Sequence, residues 1–406
     1  MSLTQIAFVL MLVAFVVTML VYPLVLSFAR KHNIVDNPDA RKLQREPVPI
    51  MGGAAVCIGF MTVSLILFAI VGDIRLLWAL LMLTFIYAIG LWDDLRDISP
   101  ALRFILESVL VWIMIPVLGI EINDFHGLWG LHVIPEYVSV PLTLVAGVGI
   151  INSVNLIDGV DGYCSSFGMM ACSVFAVLSY YSGDYVVFCV ALFAIGALLP
   201  FFLHNVFGYR SKMFLGDGGS LMLGTMLTMI VFRTLTSGAP CAVYENLGLS
   251  LPAICLAIMA VPVFDTLKVM TYRLIRGVSP FQPDKNHLHH MFIDVGYTHL
   301  ATSVSILIVN FVIIAVTLFS WRQGASIDMQ AYLVIGMGLL LQGFYFFVHR
   351  QKNLNNGEGS AMYRRWCSRS HRTNLSNTKW WRKISKTVDG RFLGGSSFYS
   401  DKESAD

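Results

Sequence analysis

Charge is what this sequence has least of. Asp, Glu, Lys and Arg make up 13% of its 406 residues, about half the share found in an ordinary soluble domain. A soluble protein of this length with so little charge would expose large apolar patches and aggregate. The hydrophobic fraction of 56% equally excludes a disordered chain. Cysteine is present seven times but never as a CxxC pair, so neither a zinc site nor a disulfide framework is indicated. Most cysteines, among them Cys57, Cys172 and Cys255, sit inside apolar runs and read as small buried residues. There is no repeat of fixed period, and no inverted pair of interrupted hydrophobic segments of the transporter type.

What is there is hydrophobic length. A bilayer-spanning helix needs about 20 apolar residues, and mean hydropathy is +0.69. The chain therefore reads as an all-α polytopic membrane protein with about 11 spans. The candidate spans are Ile6–Ala29, Gly52–Ile70, Leu76–Leu91, Leu102–Leu118, Tyr137–Ile157 and Ser165–Tyr181. They continue with Tyr185–Val206, Ser220–Leu235, Leu251–Leu274, Leu300–Trp321 and Ala331–Val348. The first run is too long, and too poor in early basic residues, for a cleaved signal peptide. With the N-terminus outside, 25 of the 28 Lys and Arg fall on inner segments; only Arg75, Arg233 and Arg322 lie outside. The positive-inside rule thus puts the N-terminus outside and the C-terminus in the cytoplasm. Residues 1–350 form the transmembrane domain. Residues 351–406 form a basic tail holding Trp366, Trp380 and Trp381, either disordered or laid on an anionic membrane surface.

The polar residues of the inner segments are clustered. Asp93, Asp94 and Asp97 stand in GLWDDLRD. Three carboxylates so close need a cation, a proton or an Arg to coexist, and Arg96 and Arg103 offer an ordinary salt-bridge explanation. Taken alone, DDxxD also matches the metal-diphosphate motif of prenyl synthases. In NSVNLIDGVDG, Asn152, Asn155, Asp158 and Asp161 recur every third residue at a membrane boundary. That period places them on one helical stripe, where they are costly unless paired or functional. In FLGDGGS, Asp217 is set among glycines at the start of a span. A carboxylate there suits Mg²⁺, while bared amides suit phosphate oxygens.

Two further clusters are basic or imidazole-rich. SPFQPDKNHLHH holds Lys285, His287, His289 and His290. The spacing is not that of a helical two-His zinc site, and phosphate binding with Lys285 fits it better. KLQREPVPIMGG, on the first inner loop, carries Lys42 and Arg45. Asp265, within the ninth run, either pairs with Lys268 or Arg273 or lines the site. Carboxylates, Gly-rich helix starts, imidazoles and a few cations on one membrane face suit Mg²⁺ bound to phosphates. The chemistry they imply is phosphoryl transfer between a soluble donor and a lipid.

The motifs PVPIMGG, LWDDLRDIS, NLIDGVDG, FLGDGGS and SPFQPDKNHLHH, in that order, resemble the polyprenyl-phosphate N-acetylhexosamine-1-phosphate transferase superfamily over roughly residues 1–350. HLHH and VPIMGG look like the branch using UDP-GlcNAc. The branch that transfers phospho-MurNAc-pentapeptide typically has a continuous HHH and a TPTMGG loop. The resemblance implies a reaction of a UDP-N-acetylhexosamine, UDP-GlcNAc in this branch, with polyprenyl (undecaprenyl) phosphate. The products are polyprenyl-diphosphate-HexNAc and UMP. It also implies a multi-pass plasma-membrane enzyme, often a homodimer, with its site on the cytoplasmic face. By resemblance Asp217 and Asn155 are ligands of Mg²⁺ (or Mn²⁺), and Asp93, Asp94, Asp158 and Asp161 are catalytic. Arg45, Lys285, His287, His289 and His290 contact the donor. Asp94 corresponds to the residue that deprotonates or positions the lipid phosphate. A phosphate monoester has a second pKa of about 6, so it needs little deprotonation. Orientation by Asp94 and a two-step route through a carboxylate nucleophile both remain open.

The rival readings come from other classes. A lipid or ion transporter would hold its ionisable residues near the bilayer midplane, not at one face. A prenyl synthase explains DDLRD but neither HLHH nor FLGDGGS. No feature points to nucleic acid.

Overall fold

The computed structural model describes residues 3–36, 47–278, 286–354, 359–370 and 378–390. These are almost wholly helical. The helices are α1 (Leu3–Lys31), α2 (Gly52–Val71), α3 (Ile74–Arg96), α4 (Pro100–Leu118), α5 (Glu136–Leu156) and α6 (Tyr163–Ser182). They continue with α7 (Tyr185–Phe207), α8 (Gly216–Leu235), α9 (Val243–Asn246), α10 (Leu251–Ile258) and α11 (Ala260–Ile275). The last are α12 (Leu288–Val295), α13 (His299–Arg322), α14 (Ile327–Lys352), α15 (Ala361–Ser370) and α16 (Lys379–Asp389). Among the described residues ten helices are long and apolar enough to cross a membrane, or eleven if the segment 240–258, bent by 115°, counts as one span. The chain is a multi-pass membrane protein.

Helix starts follow local chemistry. Asp73, Ser99, Asp184, Thr298 and Ser326 each accept a backbone N–H of the first turn of the helix they precede. Pro100 occupies the first helical position of α4, where its missing N–H costs nothing. Two of the helices run on from their apolar stretches into the acidic motifs. Helix α3 continues through Asp93 and Asp94 to Arg96, and α8 already begins at Gly216. The expected ninth span, Leu251–Leu274, is not one helix. It is α10 and α11 meeting at Met259, where Pro262 has no N–H to give the carbonyl of Ile258.

One exception to the all-α expectation is a two-residue antiparallel ladder, β1 (Val35–Asp36) with β2 (Val48–Pro49). It matters because its end is stitched to the start of α8. Phe214 donates to the carbonyl of Pro49, and the amides of Gly52 and Gly53 donate to the carbonyls of Phe214 and Leu215, all at 2.8 Å. Helix α8 is the hub of the bundle. Of its most apolar stretch, 94% is buried, against α2, α3 and α5. Backbones touch there: a Cβ on Gly53 would lie 2.6 Å from the Cα of Gly219. Small residues allow such approach between spans. The ends of α3, α5 and α7 and the starts of α4, α6, α8 and α13 share one end of the bundle, and the polar clusters gather there.

Of the tail, the described parts are largely α15 and α16. Tyr363 of α15 donates to the carbonyl of Asp294 at the end of α12 (3.2 Å). Trp381 of α16 packs on Phe207, ring centroids 4.9 Å apart.

Candidate active site

The last turn of α3 aims its two carboxylates in different directions. Asp93 accepts the Ile98 amide at 2.7 Å and the Arg103 guanidinium at 2.9 Å. Asp94 reaches the N-terminus of α8, where it accepts the amides of Asp217 (2.9 Å) and Gly218 (3.2 Å). A carboxylate is favoured there by the orphan N–H groups and the helix dipole. The turn before α8 requires glycine: Gly216 has φ +77°, and a Cβ on it would lie 2.6 Å from both Asp94 Oδ2 and the Ile50 carbonyl. The amides expected to meet phosphate oxygens are thus partly committed to Asp94. Asp97 closes α3 in a left-handed conformation, φ 45°, uncommon for a residue with a side chain.

The expected stripe of Asn152, Asn155, Asp158 and Asp161 is not a helical stripe throughout. Helix α5 ends at Leu156, so the two asparagines lie on it and the two aspartates lie in the following turn. Each finds a different partner. Asn152 donates to Glu107, a fully buried residue of α4 that also lies 3.6 Å from Arg103. Asn155 donates to Asp217 (2.8 Å) and to the Ser220 hydroxyl (2.9 Å). Asp217 is itself 3.5 Å from Arg103. Asp158 accepts the amide of Gly216. Burial, then the charges of Asp217, Asp94 and Asp161, push its carboxyl well above the usual range. Asp161 goes the other way. Burial would raise it, but the hydrogen bond of His299 and the ammonium of Lys212 outweigh burial and hold it below its ordinary value. Lys212 Nζ stands at 2.6 Å and His299 Nδ1 at 3.0 Å.

The histidines form the facing wall. Asp265 accepts from Lys268 (2.7 Å) and the Leu288 amide (2.9 Å), and its other oxygen lies 3.0 Å from His287 Nδ1. Of the alternatives open for Asp265, pairing with Lys268 is therefore realised, and through His287 it also fixes the site wall. The His287 and His289 rings are parallel, 5.7 Å apart, and His290 is 4.4 Å from His289. His289 rests against Gly159, where a Cβ would come within 2.7 Å of its Nε2. Burial, then the neighbouring His290 and His287, drive the pKa of His289 well below normal, so it is a neutral imidazole at pH 7.

These walls enclose a cavity of about 570 Å³. Nine of the eleven expected site residues line it: Asp93, Asp94, Asn155, Asp158, Asp161, Asp217, His287, His289 and His290. Arg45 and Lys285 fall outside the described residues. Asp36, Asp97, Arg273 and His299 also line it. Glu107, Lys212 and His299 stand outside the sequence motifs and join the site only through the fold. The position of Lys212, just ahead of the glycine-rich turn, was the one available signal for it. Among the described residues no three His, Cys, Asp or Glu side chains could by themselves hold a metal. Asp217 and Asn155 fit the mode in which Mg²⁺ takes one or two protein ligands and completes its shell with phosphate oxygens and water.

The arrangement joins acidic groups, which suit a cation, to imidazoles and Arg273, which suit phosphate, at the end of a membrane bundle. A family model described as glycosyl transferase family 4 matches residues 76–235. The undecaprenyl-phosphate α-N-acetylglucosaminyl 1-phosphate transferase of Yersinia pestis is 31% identical over 278 residues, covering 66% of this chain and 72% of the relative. The chain belongs to this family. A probable undecaprenyl-phosphate N-acetylglucosaminyl 1-phosphate transferase of Bacillus subtilis is 29% identical over 338 residues, 81% of this chain and 91% of the relative. The Escherichia coli K12 transferase of the same name as the Yersinia protein is 29% identical over 279 residues, 66% of this chain and 72% of the relative. Within the family-4 match, α3 to α8, lie Asp93, Asp94, Asp97, Asn155, Asp158, Asp161 and Asp217, the seven acidic and amide residues of the sequence motifs that line the cavity. The histidine wall lies beyond it.

Proposed function

We propose that this family-4 protein transfers GlcNAc-1-phosphate from UDP-GlcNAc to undecaprenyl phosphate. A phosphate oxygen of the lipid attacks the phosphorus bonded to GlcNAc, the bond to the UMP phosphate breaks, and undecaprenyl-diphosphate-GlcNAc and UMP result. The observation that carries this reading is a cavity lined with both carboxylates and imidazoles, in a chain whose relatives bear that activity in their names. Those names favour GlcNAc over phospho-MurNAc-pentapeptide. A cavity at one end of the bundle, not at its middle, disfavours a transporter.

In this reading the residues divide by wall. Asp217 and Asn155 hold Mg²⁺ or Mn²⁺, which when bound neutralises the diphosphate and its leaving group. Asp94 anchors the start of α8 and so orients Asp217. Asp93 fixes Arg103 beside Asp217. Asp158 accepts the Gly216 amide and so holds the glycine-rich turn beside the reacting phosphates, and Asp161 keeps Lys212 and His299 in place. His287, His289, His290, Lys285 and Arg45 take the donor. The Lys and Arg distribution supports an outside N-terminus, a cytoplasmic C-terminus and a site on the cytoplasmic face of the plasma membrane. The basic face and tryptophans of α16 suit the surface of that membrane. A homodimer rests on the family resemblance alone.

The test is UMP release by purified protein in detergent with undecaprenyl phosphate and Mg²⁺. UDP-GlcNAc, UDP-GalNAc and UDP-MurNAc-pentapeptide are offered separately. UMP from UDP-GlcNAc that needs the lipid and is lost in Asp217→Asn is the expected result. Folded protein that releases no UMP from any donor would refute the proposal.

A further inference from the structure

The loop between α7 and α8 carries a contact that the reaction chemistry does not explain. Its residues 209–211 present three successive backbone amides to one side. All three are taken by one carboxylate, Asp389, from the far end of the chain. Asp389 Oδ2 accepts the amides of Tyr209 (3.1 Å) and Arg210 (3.2 Å). Asp389 Oδ1 accepts the amide of Ser211 (3.0 Å) and the Ser211 hydroxyl (2.8 Å). Successive amides of this kind form an anion-binding nest, and here the anion is supplied by the tail. Asp389 and Ser211 are both buried.

The other side of the loop is held by the bundle. Tyr22 donates to the carbonyl of Ser211 at 2.8 Å, Arg30 donates to the carbonyl of Arg210, and His204 Nδ1 lies 2.9 Å from the Ser211 hydroxyl. The bundle thus satisfies the carbonyls, and only Asp389 satisfies the amides. The next residue is Lys212, whose ammonium pairs with Asp161, a residue that lines the cavity. Two residues further, Phe214 joins the strand at Pro49, and Gly216 then opens α8. Helix α16 holds Asp389 in place by packing Trp381 and Trp380 on Phe207. Asp389 lies beyond the residues matched to the family model, whereas the loop that it holds lies within them.

We propose that Asp389 is a positioning residue of the active site: its carboxylate fills the amide nest at 209–211 and thereby sets Lys212 against Asp161. The proposal rests on the transferase reading of the cavity. Loss of the carboxylate leaves the buried amide of Ser211 and the part-buried amides of Tyr209 and Arg210 without their partner, which is costly at Ser211 above all, so the loop must shift to hydrate them. Lys212 is the first side chain that such a shift displaces.

The test uses the full-length protein in detergent. Asp389→Ala is expected to lower kcat/KM for UMP release about tenfold and to speed amide exchange at residues 209–211. Asp389→Glu is expected to restore part of both. Combined with Lys212→Met, Asp389→Ala is expected to add nothing, because both act through the same pair. A general loss of packing would instead add to the Lys212→Met effect. Wild-type kinetics in Asp389→Ala, additive losses in the double variant, or unchanged exchange at 209–211 would each overturn the proposal. If the wild-type protein itself releases no UMP, the transferase reading fails, and the exchange measurement still decides whether Asp389 holds the loop.

Discussion

Gly216→Ala tests whether the turn before α8 builds the site. Gly216 has φ +77°, where a residue with a Cβ loses about 1–2 kcal/mol. The new methyl would also lie 2.6 Å from Asp94 Oδ2 and 2.6 Å from the Ile50 carbonyl, well inside van der Waals contact. The segment on either side of Ile50 is tied to Phe214 and Leu215 by three backbone bonds, from Pro49, Gly52 and Gly53, so Asp94 is the partner that gives way. Its retreat releases the amides of Asp217 and Gly218, and hydrogen bonds to a charged group are worth about 1.5–3 kcal/mol. Together the two effects amount to about 3–5 kcal/mol, concentrated on the residue that presents Asp217. If that energy is expressed in the transition state, the rate falls by about two to four orders of magnitude. The assay is UMP release under saturating substrates, with the melting temperature measured in the same detergent. Gly149→Ala is the control, because nothing lies within 4 Å of a Cβ at that helical position; it should retain full activity and gain up to about 1 kcal/mol. Gly216→Ala protein with a turnover within threefold of wild type would refute the reasoning.

Two further outcomes concern acidity. Because Asp161 is held below its ordinary pKa, its stabilising contribution is present above the unfolded carboxyl value of about 3.9 and is lost only as pH falls through the still lower folded value. Lys212→Met leaves His299 as its near partner, so melting curves from pH 3 to 7 should show stability failing at a higher pH than in wild type; superimposable profiles would disprove the pairing. His289 is held neutral by burial, so the unfolded chain takes up a proton that the folded chain refuses as pH falls below about 6.5. Stability should therefore fall with acidification through pH 6 and 5, and His289→Gln should flatten that slope, as differential scanning fluorimetry can measure.

The membrane class and the composition of the cavity were legible because polarity is rare here. In a chain with 13% charge, Asp93, Asp94, Asp158, Asp161 and Asp217 stand out as spellings that an apolar bundle would not tolerate without use. Their partners were harder to read. Glu107 looks like any helix glutamate until Asn152 and Arg103 close on it, and Lys212 and His299 gain their meaning only from the meeting of two distant loops at Asp161. The period of three across residues 152–161 is real, but α5 ends at Leu156, before the stripe does. The break between α10 and α11 turns on Pro262, whose effect an apolar run conceals. The reach of Asp389 to the amides of 209–211 spans 178 residues or more, a distance at which no local pattern can signal contact.

The burial of α8 bears on how the protein is made. A helix that lipid hardly touches needs no greasy surface, and α8 uses that freedom for Gly224, Thr225, Thr228 and Thr234. Its weak apolarity leaves little to hold it in a bilayer by itself. During synthesis it must therefore wait beside the insertion machinery, or slip in among α2, α3 and α5, which precede it along the chain and form its eventual sheath. The order in which the ribosome delivers the helices is then matched to the order in which they can be accepted: the shell is in place before the hub arrives. The turn at Gly216 cannot take shape until that entry is complete, so a chain halted before α8 seats has spans but no polar cavity.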